Sequence, residues 1–158
     1  MRRVDSLPLW IGTARDARDL RRVRAAGIEA IVDLAVEEPP VAPTRELVYL
    51  RFPLLDGDGN PKWLPELAVE AVRRLLENKI PTLVACSAGM SRSPSVVSTA
   101  VAQLSNEPAE SVLDRLRGVG PVDVSPGLWQ SLRPASHDGV GEIETTGRRA
   151  ERASRGSD

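Results

Sequence analysis

Pro81-Thr82-Leu83-Val84-Ala85-Cys86-Ser87-Ala88-Gly89-Met90-Ser91-Arg92-Ser93-Pro94 joins an apolar run, 81–85, to a helical pattern through the only cysteine of the chain. A cysteine six residues before an arginine can close a short loop whose successive backbone N–H groups turn inward toward an oxyanion. The helix that follows adds the positive end of its dipole. The same groups favour a thiolate over a thiol, so such a loop binds an anion and activates a nucleophile together. In a chain this rich in arginine, the bare spacing arises by chance about one time in eight. Requiring glycine at 89 and serine or threonine at 93 lowers that to roughly one in a thousand, so the constellation carries the reading and the spacing alone does not.

The surrounding pattern alternates strand and helix, as an α/β fold requires. Strands are expected at Leu7 to Ile11, Ile28 to Ala35, Leu47 to Leu55 and Pro81 to Ala85. A helix is expected over Asp16 to Ala26, with Ala17, Leu20, Val23 and Ala26 on one face and Gly27 as its stop. Leu64, Leu67, Ala68, Ala71, Val72 and Leu75 predict a second, amphipathic helix running to about Asn78. Ser93 is expected to cap the helix after the cysteine loop, with Pro94 in its first turn and Val97, Ala100, Val101 and Leu104 as its buried stripe. Pro108 to Arg117, stopped by Gly118, and Ser125 to Leu132 read as two short helices. Trp10, Trp63 and Trp129 are expected to pack, and Glu37 to Thr44, with its three prolines, to form an ordinary surface loop, a lining of the substrate cleft being the alternative. Residues 134–158 hold almost no apolar side chains and read as a disordered tail behind one domain at 1–133.

Composition fits that single domain: 158 residues, 41% hydrophobic, net charge −1. A near-balanced charge gives no footprint for nucleic acid or an anionic membrane surface. One cysteine forms no internal disulfide, and no apolar run reaches signal-peptide or membrane-span length, so the expectation is a cytoplasmic protein, taken as a monomer.

The stretch Leu83 to Pro94 resembles the signature of the dual-specificity phosphatases, a branch of the cysteine-dependent protein tyrosine phosphatases. Leu9-Trp10-Ile11-Gly12, the Gly27-Ile28 strand entry and the run from Tyr49-Leu50 to Asp56 resemble the amino-terminal half of that family, so roughly Leu7 to Leu132 is covered. The resemblance implies a three-layer α/β/α phosphatase fold with a central, mainly parallel sheet, and hydrolysis of phosphomonoesters without metal or organic cofactor. Cys86 would take the phosphoryl group. Arg92 would fork two N–H groups onto its oxygens, and the backbone of Ser87, Ala88, Gly89, Met90 and Ser91 would cradle it. The Ser93 hydroxyl would hydrogen-bond the sulfur and ease its departure.

A leaving alkoxide or phenolate needs a proton, and the lone histidine, His137, falls in the tail, so a carboxylic acid must serve. The family places an aspartate about thirty residues before the cysteine, where Asp56 stands, and Asp58 is its near rival. The implied substrate is a phosphorylated protein, phosphotyrosine first and phosphoserine or phosphothreonine after it. Without lysine at Ser87 and Met90 a phosphoinositide is disfavoured. Ala85 stands where the family carries histidine, which motivates a weakly active or non-catalytic phosphopeptide-binding module as an alternative. A rhodanese-like sulfurtransferase, which also cradles an anion beside a cysteine, is the other.

Overall fold

The computed structural model describes residues 1–4 and 6–132; the expected tail, with His137, lies outside them. Four strands run parallel: β2 (Leu9–Thr13), β3 (Ala30–Ala35), β4 (Val48–Leu54) and β5 (Thr82–Cys86). A two-residue strand, β1 (Arg2–Arg3), adds antiparallel to β2, and the sheet order is β1-β2-β5-β3-β4. β1 is not among the expected strands, because two arginines carry no strand pattern. β3 and β5 are buried along their whole length, as central parallel strands covered on both faces must be.

Alternation along β5 divides the core. Leu83 and Ala85 face Ile31 and the two short helices α1 (Ala14–Arg18) and α2 (Leu20–Ala25), while Val84 and Cys86 face Val32 and the opposite helix layer. That layer comprises α3 (Trp63–Glu77), α4 (Arg92–Ser105), α5 (Ala109–Val119) and α6 (Pro126–Leu132). α4 is its centre, buried from Arg92 through Ala102, including Ser93, Ser95, Ser98 and Thr99. The Ser95 and Thr99 hydroxyls donate back to the Ser91 and Ser95 carbonyls, whereas those of Ser93 and Ser98 are buried without a partner.

Several local expectations are corrected. The single helix over Asp16 to Ala26 is two, broken at Asp19, whose carboxylate accepts from the Arg22 N–H and starts α2. α1 begins earlier, at Ala14, under a Thr13–Asp16 capping box. α5 runs through Gly118 to Val119, because tertiary contacts outweigh the modest cost of one glycine in a helix. The buried stripe of α3 is Pro65, Ala68, Val69, Val72 and Leu76, which leaves Leu67 on the surface; Leu104 of α4 is also exposed. Of the tryptophans, Trp10 packs under the Arg3 guanidinium, whereas Trp63 is 61% exposed at the start of α3. No helix among the described residues is long and apolar enough to cross a membrane.

Candidate active site

β5 pairs with β2 on one side and β3 on the other, in the register Thr13↔Cys86 and Asp33↔Ala85. Cys86 is therefore held at the carboxyl end of the most enclosed strand. That edge is where parallel α/β sheets bind ligands. The chain then turns through 87–91 and enters α4 at Arg92.

The loop's carbonyls are occupied from outside. The Ser87 carbonyl accepts from the Ala14 N–H at 3.4 Å, that of Gly89 from Arg2 Nη2 at 3.1 Å and that of Met90 from the Asp123 N–H at 2.8 Å. The Ser91 carbonyl accepts from Ser95. A trans peptide points its N–H opposite to its carbonyl, so the N–H groups of Ala88, Met90 and Ser91 turn the other way, and no cis bond intervenes. The Gly89 N–H lies 3.2 Å from Cys86 Sγ. Gly89 itself has φ +69°, and a Cβ there would fall 2.8 Å from the Gly12 carbonyl oxygen, so both conformation and space demand glycine.

Arg92 is 3% exposed and donates in three directions. Nη1 bonds Glu37 Oε2 at 2.6 Å and the Leu54 carbonyl at 3.0 Å; Nη2 bonds Glu37 Oε1 at 2.5 Å and Ser87 Oγ at 2.9 Å. Its Nε is buried without a partner. The Ser87 hydroxyl also donates to Glu37. These contacts hold the Glu37 carboxyl near pKa 2, far below its ordinary 4.5, with the Arg92 hydrogen bonds as the largest cause. Burial works to lower the pKa of Arg92, but the Glu37 bonds and the Cys86 sulfur leave it raised.

Glu37 is the residue the sequence reading missed. Its loop is not an ordinary surface loop: Arg51 Nη2 on the Ala35 and Glu38 carbonyls and Arg18 Nη2 on the Pro39 carbonyl fix it against the site. The available signal was position. Glu37 lies just past the carboxyl end of β3, the strand beside β5.

Asp56 follows β4, and its Oδ1 accepts from Ser91 Oγ at 2.5 Å, placing a carboxylate on the cysteine loop. The Asn60 side chain bonds the Leu55 and Gly57 backbone and closes the turn that carries it. Asp58 turns elsewhere: its carboxylate packs on Gly127 of α6, where a Cβ would fall 2.2 Å from Oδ1. Ser93 does not cap α4. It lies inside the first turn behind Ser91, because Arg92 already has helical backbone, and its buried Oγ has no partner. Ala85 is fully buried on the α1/α2 face and offers the loop no polar contact.

No protein-family model matches the sequence, and neither does any curated protein. Solved structures do match. Human DUSP28 is 23% identical, covering 84% of this chain and 92% of its own at a TM-score of 0.71. A mouse putative dual specificity phosphatase, complexed with zinc tungstate, is 25% identical over 83% of this chain and 82% of its own, at 0.71. The human tyrosine phosphatase-like serine/threonine/tyrosine-interacting protein is 20% identical over 84% and 92%, at 0.70. The chain has the fold of the dual-specificity branch of the protein tyrosine phosphatase superfamily, the family that its cysteine loop resembles.

Proposed function

We propose that the protein hydrolyses phosphomonoesters through a phosphocysteine at Cys86, acting on phosphotyrosine and, with it, phosphoserine or phosphothreonine of proteins. The observation that supports this most is the loop: a buried cysteine with the Gly89 N–H on its sulfur, carbonyls turned out, and a buried arginine with an unpartnered Nε beside it. Cys86 Sγ attacks phosphorus, the ester P–O bond breaks, and the departing oxygen takes the proton of the Asp56 carboxyl. Water then attacks the phosphocysteine, giving its proton to Asp56 while the P–S bond breaks and orthophosphate leaves. Negative charge spread over the equatorial oxygens meets the N–H groups of Ala88, Met90 and Ser91 and the Arg92 guanidinium, whose Nε is free and whose Nη2 exchanges Ser87 Oγ for a phosphate oxygen. The unpartnered Ser93 hydroxyl is the donor for the departing sulfur. A buried hydroxyl without a partner is costly, and a charged sulfur is a partner it gains during reaction.

A mouse protein of this fold is complexed with zinc tungstate, a source of a tetrahedral oxyanion, the class of ion this loop is proposed to bind. The experiment is release of nitrophenol from p-nitrophenyl phosphate by the intact protein and by Cys86→Ser. The variant should lose essentially all turnover while still binding orthophosphate, since serine is a far weaker nucleophile but leaves the anion cradle in place. Turnover retained in Cys86→Ser removes the covalent route. Orthophosphate binding without turnover in the wild type supports a binding module instead, and turnover of thiosulfate alone a sulfurtransferase.

A further inference from the structure

Arg2 belongs to the edge strand β1, yet its side chain ends at the nucleophile loop. Nη2 donates to the Gly89 carbonyl at 3.1 Å and to the Pro121 carbonyl at 3.0 Å. Pro121 opens the segment whose Asp123 N–H bonds the Met90 carbonyl and whose Ser125 N–H bonds Ser91 Oγ at 3.0 Å. One guanidinium thus ties the loop to the segment that buttresses it. The side chain lies across Gly120, where a Cβ would fall 2.7 Å from Arg2 Cδ and 2.9 Å from Nε. Gly120 is extended, with φ 163°, so glycine is needed there for room and not for conformation. Burial draws the Arg2 pKa below its ordinary value, and the Cys86 sulfur acts in the opposite sense, which puts this cation within electrostatic reach of the nucleophile.

We propose that Arg2 is a positioning residue for the nucleophile loop: by fixing the Gly89 carbonyl from outside, it aims the N–H of the same peptide, that of Met90, at the bound phosphate. The inference rests on reading the loop as a phosphate site. It answers how this loop is ordered with Ala85 before the cysteine. The support comes through space from an edge strand, from a residue distant in sequence.

The test compares wild type with Arg2→Ala, Gly120→Ala and Arg3→Ala, each verified to unfold cooperatively. The readings are the orthophosphate Kd by calorimetry and the ratio of iodoacetate to iodoacetamide alkylation rates at Cys86. That ratio reports the loop's preference for an anion on the same sulfur, which a loss of global stability does not move. Arg2→Ala and Gly120→Ala should each weaken orthophosphate binding and lower the ratio about tenfold, the scale of two ordinary hydrogen bonds. Arg2→Lys, which keeps a cationic donor, should recover part of both. Arg3→Ala should change neither, since Arg3 bonds the Leu7 carbonyl and stacks on Trp10. Unchanged values in Arg2→Ala overturn the proposal. So does an equal loss in Arg3→Ala, which would make attachment of β1 the cause. If Arg2→Ala does not fold, Gly120→Ala decides alone, because it displaces the guanidinium and keeps the strand. A wild type that neither binds orthophosphate nor prefers iodoacetate removes the phosphate-site reading beneath the proposal.

Discussion

Two carboxylates reach the cysteine loop from neighbouring strand ends, Asp56 from the turn after β4 and Glu37 from the loop after β3, and they differ in what they touch. Asp56 meets a hydroxyl, Ser91 Oγ, and is exposed. Glu37 is bonded to both terminal nitrogens of a buried arginine and to Ser87. Asp56 feels the Arg92 charge only at a distance, and a carboxyl that no guanidinium grips can carry a proton to a leaving group. One locked on a guanidinium is held ionised and can only orient it. The same chemical group at the same edge of the sheet therefore braces an arginine in one place and, in the function proposed above, carries the proton in the other.

The largest effect that sharpens this contrast is at Asp56. Asp56→Asn should cut turnover of phosphomonoesters with poor leaving groups about a hundred- to ten-thousandfold, and much less for an activated aryl phosphate whose leaving group departs unprotonated. Asp58→Asn, whose carboxylate packs on Gly127, should do little. A larger, leaving-group-dependent loss at Asp58 moves the acid there. Next comes the arginine that the brace holds. Arg92→Lys keeps the charge but not the planar fork, so kcat should fall on the order of a hundredfold, as for a removed oxyanion donor. Near-normal kinetics would show that Arg92 does not contact the phosphate.

The smallest effect is at the brace. Glu37→Gln should lower kcat/KM about tenfold, equally for good and poor leaving groups, the cost of one charge-assisted hydrogen bond. A loss that depends on the leaving group would make Glu37 a proton donor and erase the contrast. Its pKa adds a stability test. A carboxyl depressed from 4.5 to about 2 on folding contributes stability that is present above its ordinary value and lost as the pH falls through the depressed one. The Tm advantage of wild type over Glu37→Gln should therefore stand at pH 6 and close between about pH 4.5 and 2. Since Glu37 is half exposed, solvent screening keeps that advantage small.

What was legible in the sequence follows the same division. Cys86, Gly89 and Arg92 occupy one short segment, so spacing alone brings them together, and β3 and β5 show as short, mostly apolar segments in which only Asp33 and Thr82 are polar. Asp56 was readable only through the family resemblance. Glu37 and Arg2 were not, because each reaches the loop through space from a segment whose local composition, a proline-rich loop or a pair of arginines, reads as surface. Ser93 shows the reverse failure. A serine followed by proline has the local character of a helix cap, but the buried arginine before it already starts α4, and tertiary position overrode local preference. The break at Asp19 is a third case, a capping residue concealed within an unbroken apolar period.

The most direct test of the central claim is to quench Asp56→Asn rapidly during turnover of an activated aryl phosphate and map the phosphoryl adduct by mass spectrometry. Loss of the base slows water's attack on the intermediate, so the adduct should accumulate on the peptide carrying Cys86 and be absent from Asp56→Asn combined with Cys86→Ser. Turnover that proceeds with no adduct on that peptide, and survives in the double variant, would contradict the account.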